Sequence, residues 1–128
     1  MAQTQSFKRL DNESLIFVPA SILESEVDLV VDTGASHTFI DFGILLKEGI
    51  RLEHSMGLVP VSTASGILMA NEFLIPQITA LGLSRENFRI TSYLIEDPED
   101  LFKGVLGLDF FENSELCISL KNNTITLK

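Results

Sequence analysis

The sequence predicts a mainly β chain: a small closed barrel or sandwich of short strands with one or two short helices. Three observations lead there. The apolar runs are short and are broken repeatedly by Gly, Asn, Pro and Ser clusters, a rhythm that suits closed β architectures over α/β folds. Only two stretches carry helix start and stop signals. The length of 128 residues fits one domain, and 45% apolar with 21% charged residues is ordinary globular composition. Such a chain buries a core without disulfide staples.

The elements follow in order. Residues 1–14 are polar and read as a flexible N-terminal segment, leaving 15–128 as the folded domain. Leu15 to Leu23 reads as a strand, with Pro19 marking an edge or a bend. Glu24, Ser25 and Glu26 form a turn, and Val27 to Val31 is a second apolar strand. Thr38 to Ile40 is a short strand. Asp41 is placed to cap a helix through Leu45 and Lys47, with Gly49 where a left-handed residue ends it. Leu58 to Ser62 and Ile67 to Ala70 are two strands joined by a tight tip, Thr63, Ala64, Ser65 and Gly66. Phe73 to Leu81 and Phe88 to Ile95 are further strands, separated by a connection from Gly82 to Asn87. Asp97 to Asp100 is an acidic surface loop. Val105 and Leu106 lead into Gly107, after which Asp109 caps a short helix through Glu112 rather than acting in catalysis. The chain ends in a hairpin, Leu116 to Leu120 and Thr124 to Leu127, around Asn122 and Asn123, which tolerate positive φ.

Composition removes several functional classes. A net charge of −9 with nine scattered basic residues is unsuited to a nucleic-acid backbone. The acidity serves solubility first, and a preference for basic substrates is the sharper alternative. The lone Cys117 excludes an internal disulfide and a multi-cysteine zinc site, and is compatible with a reducing compartment. His37 and His54 have no neighbouring cysteine or spaced carboxylate to complete a metal site, so no metal or cofactor is expected. The N-terminus lacks the apolar core of a signal peptide, and no run approaches the roughly 18 apolar residues of a membrane helix. The expectation is a cytoplasmic protein that does not engage membranes.

The chemistry concentrates at Asp32, Thr33 and Gly34. A carboxylate directly after an apolar strand is costly to bury, so its placement calls for a reason. Gly34 lets the backbone turn sharply and brings amides near the carboxylate. Thr33 adds a hydroxyl able to bond a neighbouring chain, and the small Ala35 and Ser36 leave one side open. Further on, Val105, Leu106 and Gly107 repeat the pattern of two apolar residues ending in a glycine.

With these residues in place, the chain from about residue 15 to the end resembles the single-domain retropepsin-like aspartic proteases. The likeness is carried by Leu29-Val30-Val31-Asp32-Thr33-Gly34-Ala35-Ser36, by the Thr63 to Gly66 hairpin, and by Val105-Leu106-Gly107-Leu108-Asp109-Phe110. Their order is that of the family's catalytic loop, flap and apolar-apolar-glycine motif. The resemblance implies a closed acid-protease barrel and a symmetric homodimer. One Asp-Thr-Gly per chain makes Asp32 the catalytic residue, one from each copy, with Thr33, Gly34, Ala35 and Ser36 supporting the loop and gripping the dimer. It also implies that Thr63, Ala64, Ser65 and Gly66 cover the substrate. The tip lacks a flap aromatic of the pepsin type. The C-terminal strand Thr124 to Lys128 is the candidate for an interface sheet.

The implied activity is that of an aspartic endopeptidase acting on extended polypeptide without a cofactor. Two carboxylates a few ångströms apart do not both ionise readily, so the pair holds one proton. The ionised member activates water and the protonated member polarises the peptide carbonyl. The alternative is a catalytically silent module of the same fold that binds peptide or dimerises.

Overall fold

The computed structural model describes residues 3–9, 15–63, 65–97 and 100–128. The chain is mainly β. Strands β2 (Phe17–Ile22) and β3 (Ser25–Val31) form a hairpin. β4 (Phe39–Asp41) runs directly into helix α1 (Phe42–Lys47), and a 3-10 turn follows at Leu52–His54. β5 (Leu58–Thr63), β6 (Gly66–Ala80) and β7 (Leu83–Tyr93) form an antiparallel meander. β8 (Gly104–Leu106) is short and buried throughout. A strand at the N-terminus, β1 (Gln3–Ser6), joins β9 (Leu116–Ser119) and β10 (Thr124–Leu127) in a separate sheet.

The larger sheet closes on itself. Its order is β2-β3-β8-β4-β7-β6-β5, and β6 returns to β2 through Ala20 to Ile22 against Ala80 to Ile78. Six strands therefore make the barrel, while β5 pairs with β6 and lies outside the ring. Alternation of side chains along each strand sends one set inward. In β2 these are Val18, Ala20 and Ile22, with Pro19 exposed at the point where only β3 flanks the strand. Leu29, Ile40, Phe73, Ile75, Ile78, Ile90, Leu106 and Phe110 fill the interior, each almost wholly removed from water. Each such side chain stabilises the fold by roughly 1.5–3 kcal/mol. No helix among the described residues is long and apolar enough to cross a membrane.

Several sequence expectations are corrected. The polar segment at the N-terminus is not loose at Gln3–Ser6, which pairs with Leu127 to Thr124. An edge strand needs backbone hydrogen bonds more than apolar side chains, so its polarity gave no sign of pairing; Leu10 to Ser14 lie outside the described residues. The two strands expected on either side of Asn71 and Glu72 are one, β6. The polar pair did not break it, because Asn71 accepts a bond from Ser55 Oγ and the Glu72 backbone bonds Met56 and Gly57. The connection from Gly82 to Asn87 shrinks to a tight turn at Leu81 and Gly82, both at positive φ. Leu83 to Glu86 continue as strand, and the ladder skips Pro76 and Asn87, the proline lacking an N–H to offer.

Two caps also differ. Asp41 stands at the N-cap of α1, but its carboxylate accepts from the Ile95 N–H instead of the helix backbone. Residues 108–113 make successive turns with no helix, and Asp109 is not a cap. Arg85 holds these turns from outside, donating to the Phe110 and Glu112 carbonyls at 2.7–3.0 Å. Finally, β10 is the central strand of its sheet, with β1 on one edge and β9 on the other. Both of its backbone edges are used within one chain, so the edges left for another chain in that sheet belong to β1 and β9, not to Thr124–Lys128. In the acidic loop, Asp97 accepts from the Leu101 and Phe102 amides. Pro98 and Glu99 lie outside the described residues.

Candidate active site

Asp32 leaves the end of β3 at the point where that strand runs parallel to β8. Its N–H donates to the Leu106 carbonyl at 3.1 Å, continuing the Val31–Leu106 pairing by one residue. The chain then turns tightly. Ala35 N–H returns to the Asp32 carbonyl at 3.1 Å, and Gly34 N–H donates to Asp32 Oδ1 at 2.9 Å. A Cβ on Gly34 would stand 3.1 Å from that same oxygen, so glycine gives the amide its clear approach. The carboxylate is half-buried, while Thr33 and Gly34 are exposed in the single chain.

The second motif explains how the loop is held. Gly107 lies under it: a Cβ there would come within 2.6 Å of the His37 carbonyl carbon and 2.9 Å of the Ala35 oxygen. Only a residue without a side chain lets the two segments touch. The Leu108 N–H donates to Ala35 O at 2.8 Å and the Asp109 N–H to Ser36 O at 3.3 Å. Thr38, fully buried, is the centre of the arrangement. Its Oγ1 accepts from Gly107 N–H at 3.0 Å and donates to Asp109 Oδ1 at 2.7 Å, while the Thr38 N–H reaches the same carboxylate oxygen at 2.9 Å. Asp109, read from sequence as a cap, is thus a half-buried acceptor that ties the end of the Asp32–Thr38 loop to the turns after β8.

A cleft of about 790 Å³ opens above Asp32. Gly34, Ala35, Ser36 and Val105 line it together with Val59, Val61 and Ser62 of the β5–β6 hairpin. Asp32, Gly34, Ala35 and Ser36 therefore meet Val105 and the hairpin strand in one cleft, whose lining does not include Thr33, while Leu106 and Gly107 lie beneath. At the hairpin tip Thr63 pairs with Gly66, whose φ of 123° suits glycine, and Ser65 is exposed. Ala64 and the Thr63 side chain lie outside what is described.

Sequence reasoning missed the far wall of the cleft. Phe39 stacks on Tyr93 with ring centroids 5.2 Å apart and meets Phe102 edge-on at 5.9 Å. Partial burial pushes the Tyr93 phenol above its ordinary value, keeping it a neutral O–H. Glu72 and Thr91 also line the cleft. These residues come from β4, β6, β7 and the segment before β8, and no local motif links them. The signal for Thr38 and Asp109 was equally weak, since 71 positions separate the partners. His37, considered only for metal binding, lies in the cleft with its Nδ1 at 2.8 Å from Ser36 Oγ.

This geometry agrees with what comparison with known proteins finds. A model of the aspartyl protease family matches residues 18–110. The chain belongs to that family. Among solved structures, it is similar to a retropepsin-like aspartic protease from Rickettsia conorii, with a TM-score of 0.70 at 18% identity over 96% of this chain and 97% of that one. It is also similar to the retroviral protease-like domain of Ddi1 from Leishmania major, with a TM-score of 0.58 at 16% identity over 87% and 86%. No curated protein matches the chain significantly. The fold of this aspartyl protease family member is thus retropepsin-like, as the sequence resemblance implied.

Proposed function

We propose that the chain is an aspartic endopeptidase active as a symmetric homodimer, with Asp32 of each copy facing the other across a two-fold axis. The observation that carries this reading is the placement of Asp32. Its carboxylate is fixed by the Gly34 amide at the floor of an open cleft, and one chain supplies one such group. Peptide hydrolysis by this chemistry needs both an acid and a base, so half a site has one partner missing.

In the dimer the ionised carboxylate takes a proton from a water held between the two. The oxygen attacks the peptide carbonyl carbon, and the protonated carboxyl donates to the carbonyl oxygen. A tetrahedral diol results. Its collapse breaks the C–N bond, with a proton passing to the leaving nitrogen and one returned to the pair. The substrate lies extended in the cleft, covered by the hairpin of β5 and β6, held mainly by main-chain hydrogen bonds. Thr33, exposed in the single chain, bonds the partner's loop from beneath and keeps the two carboxylates in register.

The test compares wild type with Asp32→Ala on denatured casein and a peptide library across about pH 3–8, alongside sedimentation. Cleavage by wild type alone, from a species of twice the chain mass and falling more than proportionally on dilution, is the expected result. Equal activity in the two proteins, or full activity from a monomer, overturns the reading. Tight binding of peptides that persist uncleaved would instead indicate the silent module.

A further inference from the structure

The cleft carries a charge that hydrolysis does not require. Its described lining includes two carboxylates, Asp32 and Glu72, and no lysine or arginine. Glu72 is placed there by the sheet. Its backbone is pinned at the base of the β5–β6 hairpin, the N–H donating to Gly57 O at 2.9 Å and the carbonyl accepting from Met56 N–H at 2.7 Å. Across β7 it faces Thr91, and Thr91 in turn faces Phe39, which faces Val105. Residues in direct register project to the same side of a sheet. Glu72, Thr91, Phe39 and Val105 therefore form one row across four strands on the cleft side, ending beside the strand that delivers Asp32.

The Glu72 side chain is only 22% exposed, so its carboxylate is partly desolvated and gains from a cationic partner. The partner within the chain is a loose one. Arg89 approaches from the rim at 3.8 Å, beyond hydrogen-bond contact, with its own side chain 64% exposed. That leaves acceptor positions on the carboxylate for a ligand. The walls beside Glu72 suit the rest of a long basic side chain. Phe39 and Tyr93 stack as a flat apolar face along which a methylene stem packs and over which a cation is attracted. The net charge of −9 adds a long-range attraction for basic peptides.

We propose that Glu72 is a specificity-determining residue, selecting a lysine or arginine within a few residues of the scissile bond. This rests on reading the cleft as the peptide groove. Two-fold symmetry supplies a second Glu72, so the preference falls on both sides of the cleaved bond. Glu72 makes no contact with the reacting atoms; it acts through substrate position and affinity.

The experiment uses full-length protein and peptides with an apolar scissile pair, in which each of three flanking positions on either side is Lys, Gln or Glu in turn. For wild type, the Lys-to-Gln ratio of kcat/KM should reach about 10-fold or more at one position on each side, as expected for a charge-assisted hydrogen bond in a partly dry site. Glu72→Gln should bring that ratio close to one, Glu72→Lys should turn it towards Glu, and Arg89→Ala, by removing the internal competitor, should raise it. Circular dichroism confirms that each variant folds. Anisotropy with labelled peptides and Asp32→Asn protein gives the same ratio without turnover. Cleavage with no Lys preference, or with a preference that survives Glu72→Gln, overturns the assignment of Glu72 while leaving proteolysis intact. Binding that prefers Lys and loses this with Glu72→Gln, without any cleavage, supports Glu72 and removes the protease reading. Neither binding nor cleavage removes both.

Discussion

The Asp32–Thr38 loop and the β5–β6 hairpin face each other across the same cleft but are built by opposite means. Residues 32–38 are bonded from several directions: Asp32 to Leu106 of β8, Ala35 and Ser36 to Leu108 and Asp109 in the turns that follow, and buried Thr38 to Gly107 and Asp109. The hairpin beyond Leu58 and Asn71 is a two-stranded extension in which β5 pairs with β6, and Ile67 near its end is 77% exposed. Groups that do chemistry gain from being fixed within tenths of an ångström, since a misplaced reacting atom loses the advantage of proximity. A cover over substrate must open, so it is drawn from segments with little buried contact. Substitutions at the loop's supports, Thr38 and Gly107, should therefore lower stability and activity together, and hairpin substitutions should lower activity with little change in melting.

The largest effect is expected at Asp32. Asp32→Asn keeps the Gly34 contact but cannot serve as base, and should reduce kcat by roughly 10²–10⁴-fold with melting temperature nearly unchanged. A kinetic assay beside calorimetry checks this. Next comes the loop's support. Thr38→Val preserves shape while leaving the buried Gly107 amide without its acceptor, at a cost of about 1–3 kcal/mol, and takes one of the two Thr38 donors from the half-buried Asp109 carboxylate. Gly107→Ala forces the same loop outward and should cost about 1–3 kcal/mol through overpacking. Denaturant melts read both, and each should also lose activity. A stable Gly107→Ala protein with full turnover would mean that the loop is not set by this contact.

Thr33→Val should act on assembly and not on the fold. At dilution where both proteins are monomeric its chain should melt like wild type, while the dimer dissociation constant rises by an amount corresponding to about 1–3 kcal/mol per lost buried bond; Thr33→Ser should retain most of the affinity. Analytical sedimentation of the three proteins decides it. In the hairpin, Gly66→Ala strains a φ of 123° locally, by about 1–3 kcal/mol. The expected readout is a raised KM with the global melt barely moved, which is the sharpest contrast with Gly107→Ala.

The smallest effect concerns Glu48, far from the cleft. Its carboxyl is held below the ordinary value of 4.5 by the Ser25 hydroxyl and then by the Glu24 amide. A carboxylate favoured in the folded state contributes stability above its unfolded value, lost as pH falls through the folded one. Glu48→Gln should therefore lower the melting temperature slightly at neutral pH, with the difference from wild type vanishing as pH falls below about 4.5, which flattens part of the acid-induced fall. An identical pH profile for the variant would show that the clamp between α1 and the β2–β3 turn has no thermodynamic weight.

What the sequence determined by itself was local. Alternating apolar runs with frequent turn residues set the β class, because period-two patterning has one economical burial, and Asp32-Thr33-Gly34 after an apolar strand marked the loop. Gly49 and Asn123 adopt the positive φ that turn chemistry predicts for them. The distal Val105-Leu106-Gly107 was legible as a motif, yet its work was not: that Gly107 must lack a side chain because His37 and Ala35 lie on it is a fact of close approach across the fold. Only the tertiary structure decided that Gln3–Ser6 closes one edge of the C-terminal sheet, since polar edge strands are specified by available backbone groups and leave no apolar signature. It alone decided that Asp109 bonds Thr38 instead of capping a helix, because one acidic side chain suits either role and the nearest unsatisfied donors win. The row of Glu72, Thr91, Phe39 and Val105 likewise exists only once strand register is set. Register depends on which faces are buried together, and no single segment of this chain contains that information.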